Sequence, residues 1–75
     1  MNLHDEALAV RIRNALQSDK RVSGLPIDVR VSGDVVFIKG RVQSPEQSDV
    51  VQFLVTGVPG VRNVNVDEIE FEESY

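Results

Sequence analysis

The sequence predicts an α+β fold: a two-layer αββαβ sandwich with two helices on one face of a three-stranded mixed sheet. Three observations point there. Residues 29–42 form two alternating, β-branched-rich runs around Gly33-Asp34, the pattern of a hairpin with a two-residue loop. Residues 5–16 and 45–56, on either side of it, carry apolar residues at helical spacing. A further alternating run from residue 61 supplies the third strand. Its link to the second strand passes through the second helix, a right-handed crossover that makes those strands parallel.

The first helix spans residues 5–16. Leu8, Ile12, Ala15 and Leu16 recur at i, i+4, i+7 and i+8 as its buried stripe, while Glu6, Arg13 and Gln17 lie elsewhere. Asp5, or Asn2 one turn earlier, serves as N-cap, and Asp5 and Glu6 suit the positive end of the helix dipole. His4 has no cysteine or second histidine with which to share a metal, and reads as solvated. Residues 18–21 are a polar exit, and Ser23-Gly24-Leu25-Pro26 turns into the first strand.

In the hairpin, Gly33 supplies the positive φ of a type II′ turn. Ser32 then faces Val35, Val31 faces Val36, Arg30 faces Phe37, Val29 faces Ile38, Asp28 faces Lys39 and Ile27 faces Gly40. This register puts Ile27, Val29, Val31, Val36, Ile38 and Val42 on one face. Asp28, Arg30, Ser32, Val35, Phe37, Lys39 and Arg41 fall on the other. A slip of one residue would mix the two sets, so the register is well specified. Gly40 lies on the apolar face, where its missing side chain marks a close approach by a helix.

Ser44-Pro45-Glu46-Gln47 starts the second helix: Ser44 caps it, Pro45 takes the first helical position, and Gln47 completes a capping box. No base accompanies Ser44, so it reads as a cap and not as a nucleophile. Val51, Leu54, Val55 and Val58 form the buried stripe; valine is a poor helix former, so packing on the sheet must hold the helix. Gly57 ends it, Pro59 blocks continuation, and Gly60 sits in a turn that suits positive φ.

In the last strand, residues 61–71, Val64 and Val66 face the core. Ile69 and Phe71 have the parity of Asn63 and Asn65. Either a bulge falls near Asp67-Glu68, or both residues project onto the far face of the sheet. The expected core collects Leu8, Ile12, Leu16, Val22, Leu25, Ile27, Val29, Val31, Val36, Ile38, Val42, Val51, Leu54, Val55, Val58, Val61, Val64 and Val66, and is almost wholly aliphatic.

At 75 residues the chain reads as a single domain, 1–75, with its core at about 5–71 and an acidic end at 67–75. It has no cysteine, hence neither disulfides nor thiolate ligands. A net charge of −4 argues against holding nucleic acid or anionic lipid by bulk charge, so such a partner must meet a local basic patch. No apolar run approaches the ~20 residues of a membrane span, and no signal peptide is evident. As written, the chain is expected in the cytoplasm, or in the periplasm or cell envelope if it is a piece of an exported protein.

The ordered set Asp5-x-x-Leu8-x-x-x-Ile12-x-x-Ala15-Leu16, Val36-x-Ile38-x-Gly40-x-Val42, Ser44-Pro45-Glu46 and Val51-x-x-Leu54-Val55-x-x-Val58-x-Gly60-Val61-x-x-Val64 resembles the BON domain family. The resemblance covers nearly the whole chain; each piece is weak alone, and the ordered set with Gly40 and Gly60-Val61 carries the specificity. It implies a bacterial αββαβ sandwich, usually exported or envelope-associated, that binds phospholipid or a membrane surface or mediates interactions. Most members carry Asn-Gly or Asp-Gly in the hairpin; Gly33-Asp34 here suggests a different turn type. Gly33, Gly40, Ser44 and Gly60 are read as structural residues.

No Ser/His/Asp or Cys/His set, metal cluster or phosphate-cradling glycine loop occurs in the sequence, so neither catalysis, cofactor nor metal is expected. Gly57-Val58-Pro59-Gly60 spells the GxxG of an RNA-binding KH loop. Its central residues are apolar, Arg62 is the one nearby cation and no second helix follows, so no nucleic-acid partner is expected. The open sheet face carries the remaining candidates: Arg30, Phe37, Lys39 and Arg41 for lipid or a protein partner, and Val35, Phe37, Ile69 and Phe71 for self-association as a weak homodimer. The alternative is an ordinary half-solvated face stabilised by cross-strand pairs. For lipid, three cations less Asp28 give roughly 2 kcal/mol, short of the ~4 kcal/mol of a millimolar complex. Lipid binding would therefore need inserted apolar residues, tandem copies or oligomerisation.

Overall fold

The computed structural model describes residues 2–33 and 35–72. The elements run α1 (Leu3–Gln17), β1 (Ile27–Ser32), β2 (Val35–Val42), α2 (Pro45–Thr56) and β3 (Asn63–Phe71). The sheet order is β1-β2-β3, with β1 antiparallel and β3 parallel to the central β2. This is the expected α+β architecture, with α1 over β1 and α2 over β2 and β3.

Of the two cap candidates for α1, Asn2 takes the role: its Oδ1 accepts the His4 N–H at 2.9 Å. Asp5 is thereby left for a tertiary task, and its Oδ2 accepts the Gly33 N–H at 3.2 Å, tying the helix to the hairpin end. Gly33 has φ +61° and Gly60 φ +100°, the left-handed conformations expected at both turns. Asp34, the second loop residue of the predicted II′ turn, lies outside the described residues. So does the 73–75 end of the acidic run.

After α1 the chain is clamped locally by Asp19. Its carboxylate accepts the Arg21 backbone N–H at 2.9 Å and both Nε and Nη2 of the Arg21 guanidinium, at 2.9 and 2.6 Å. Hydrogen bonding to the Arg21 side chain, above all, lowers the Asp19 pKa from the ordinary 3.8 to about 2. Because the folded value is the lower one, the clamp stabilises the fold fully above the ordinary value and is lost as pH falls toward 2. An NMR titration should place the Asp19 midpoint near 2, and Arg21→Ala should return it toward 3.8.

The β1–β2 register is the one read from the alternation, from Ile27 opposite Gly40 to Ser32 opposite Val35. Ser44 caps α2, accepting the Gln47 N–H at 3.3 Å. The return bond differs from a standard capping box, since Gln47 Oε1 accepts from the Gln43 N–H at 2.6 Å, one residue before the cap. The buried core contains Leu8, Ile12, Leu16, Val22, Val29, Val36, Ile38, Val42, Val51, Val55 and Val58, all expected, together with Ala9. Ala9 is small enough to be missed by a stripe read from leucine and isoleucine spacing. The other expected core residues are partly buried against this cluster.

Two expectations are corrected. Gly40 does not receive a helix. A Cβ placed there would meet the Pro26 carbonyl oxygen and lie 2.9 Å from Ile27 Cα, so the close approach is by the backbone at the start of β1. The second is the apolar patch on the open face, which is lost because β3 takes the bulge, one of the two forms its sequence allowed. Between the pairs Phe37–Asn65 and Lys39–Glu68 the parallel register shifts by one, so Ile38 opposes both Val66 and Asp67. This bulge resets the alternation, setting Ile69 opposite Gly40 and Phe71 opposite Val42, on the helix-facing side. Ile69 packs against the core cluster, and Phe71 lies at the sheet's end, 54% exposed. Neither residue joins the open face, so the patch of Val35, Phe37, Ile69 and Phe71 is not assembled.

Candidate interaction surface

The open face is a set of cross-strand rows dictated by the two registers. Asp28, Lys39 and Glu68 form one row, and Arg30, Phe37 and Asn65 the next; Arg41 stands beside Glu70. Phe37 is 37% exposed near the middle of this face. Arg30, Phe37, Lys39 and Arg41, the four residues singled out for partner binding, are thus brought together. The single β3 bulge also brings carboxylates to them. Lys39 Nζ lies 3.9 Å from Glu68 Oε2, and Arg41 Nε lies 3.7 Å from Glu70 Oε2. Both pairs are well exposed and so contribute at most about 1 kcal/mol each. Their larger effect is on the field of the face. With Asp67, which lines the same groove, four carboxylates (Asp28, Asp67, Glu68 and Glu70) outnumber the three cations by one. Among the described residues, Arg30 is in no ion pair.

On this face, a groove lined by Asp28, Lys39, Arg41, Asp67, Glu68 and Glu70 runs past Pro26 and Gly40. Its lining carries charged side chains of both signs. Among the described residues no group of three His, Cys, Asp or Glu side chains could hold a metal ion. His4 lies at the surface, its Nδ1 3.6 Å from Asp5 Oδ1. In the Gly57–Gly60 turn, Val58 is buried, so one of the two central residues is committed to the core.

Two residues escaped the sequence reading. Arg13 Nη2 donates to the Val29 carbonyl at 3.2 Å, satisfying an acceptor on edge strand β1. Phe53 is 74% exposed on α2. Its signal was present in the sequence, because position 53 lies off the Val51–Val55 stripe by about half a turn. No helix among the described residues is long and apolar enough to cross a membrane.

The fold defines the class: a small αββαβ sandwich with both helices on one side of the sheet and the other face bare. The chain belongs to the BON domain family, whose model matches residues 4–73. A search of curated proteins gives no match.

Proposed function

We propose that this chain is a non-catalytic binding module that takes a protein partner on its open sheet face. Phe37 serves as the apolar anchor and Arg30 as the cation left unpaired within the described residues. The observation that carries the reading is the pairing of Lys39 with Glu68 and of Arg41 with Glu70. Phospholipid is the partner the family implies, and each cation near an anionic bilayer contributes about 1 kcal/mol. Here the nearby carboxylates offset that attraction, and a millimolar complex requires ~4 kcal/mol. A uniformly anionic surface cannot match a face that alternates in sign, whereas a protein surface of mixed charge can. An aromatic and an arginine at the centre are also the residue types enriched at interface cores.

Two measurements test this. Co-sedimentation should show no more binding to vesicles containing anionic lipid than to neutral ones. Binding that rises with anionic lipid, falls with salt and disappears on changing Arg30, Lys39 and Arg41 together to Gln would replace the protein reading with the lipid one. A photo-crosslinking residue at position 37, in cells making the protein, should give a discrete protein adduct that Arg30→Glu weakens. A crosslinker at Gln17 should not give that adduct.

A further inference from the structure

The helix layer carries a second surface, on the side of the molecule away from the open sheet face. A shallow groove between α1 and the C-terminal half of α2 is lined by Arg11, Ala15, Phe53, Leu54, Val58 and Pro59. Val58 is buried and Leu54 partly so, which makes the lining mostly apolar. Phe53 belongs to the same lining but is 74% exposed, which leaves a large aromatic beside an apolar trough. We propose that this is a self-association surface, on which a second copy of the chain docks by a two-fold rotation that seats each Phe53 in the other copy's groove.

A projection and a recess side by side on one surface are what an isologous contact requires, since the same patch must serve both partners. Charge placement selects the orientation. Asp49, Phe53 and Gly57 follow one another at i, i+4 and i+8 and so share a face of α2, with Asp49 and Gly57 each about 6 Å from Phe53 along the axis. Arg11 lines the groove, and Leu8, one turn before it on α1, lies beside Gly60 just past the end of α2, which puts Arg11 at the Gly57 end. A two-fold axis near Phe53 sets the two α2 helices antiparallel, which brings Arg11 of each copy to the Asp49 end of the other. Among the described residues neither Arg11 nor Asp49 is in an ion pair within the chain, so both charges are available. A parallel arrangement would instead place Asp49 against Asp49. The patch is small, well under the ~1,200 Å² of stable interfaces, so the dimer is weak, with a Kd of about 0.1–1 mM.

Sedimentation equilibrium up to about 1 mM chain should show a monomer–dimer equilibrium in that range. Phe53→Asp should raise the Kd at least about tenfold. Arg11→Asp and Asp49→Arg should each weaken the dimer, and the two together should restore it. Phe37→Lys, on the sheet face, should leave it unchanged. All of these side chains are exposed, so thermal melts should confirm folded variants. A strictly monomeric wild type at about 1 mM would overturn the proposal. So would a dimer indifferent to Phe53→Asp, or a charge swap that fails to restore association.

Discussion

Gly40→Ala is expected to destabilise the domain by about 3 kcal/mol or more, at or above the upper end of ordinary overpacking. The added methyl would meet backbone, not a side chain that can rotate away. It would lie against the Pro26 carbonyl oxygen and 2.9 Å from Ile27 Cα. Relief requires β1 to lift from β2 where Ile27 faces Gly40, and where the Arg41 N–H donates to the Pro26 carbonyl at 3.3 Å. A domain of 75 residues has a total stability of only about 4–11 kcal/mol, so the change removes a large fraction of it. Thermal melts should show a fall of more than about 12 °C, and Gly40→Val a larger one. A Gly40→Ala variant melting within about 2 °C of wild type would show that the start of β1 does not press on Gly40.

Ile38→Ala should cost about 2–5 kcal/mol. Ile38 lies in the central strand, is 1% exposed, and packs within the cluster formed by both helices and the sheet. Its truncation leaves a cavity that strands on both sides prevent from collapsing. Val35→Ala, at a half-buried site on the other face, should cost less than about 1 kcal/mol. Urea denaturation midpoints compare the two directly. Equal sensitivity at positions 35 and 38 would mean that this assignment of the hairpin faces is wrong.

What this pair of substitutions tests was legible in the sequence, because the hairpin is local. Two strands joined by a two-residue loop have one register, and alternation of period two then assigns every side chain between Ile27 and Val42 to a face. The cap at Ser44 and the aliphatic stripes of the two helices are local in the same sense. Each depends on residues within a turn or two of one another.

The tertiary structure alone decided three things. It placed the bulge opposite Ile38, which turns Ile69 and Phe71 to the helix side; it set Glu68 and Glu70 beside Lys39 and Arg41; and it brought Pro26 against Gly40. The first two depend on how β3 aligns with β2. A parallel pair joined through a helix has no turn to set its register, so packing of the whole core sets it. The approach of Pro26 to Gly40 depends on the path of the loop before β1, which the hairpin pattern does not reach. The hairpin's side of the face was thus a property of the sequence, but its charge balance was not, because the opposing carboxylates come from a strand whose alignment only the folded core could choose.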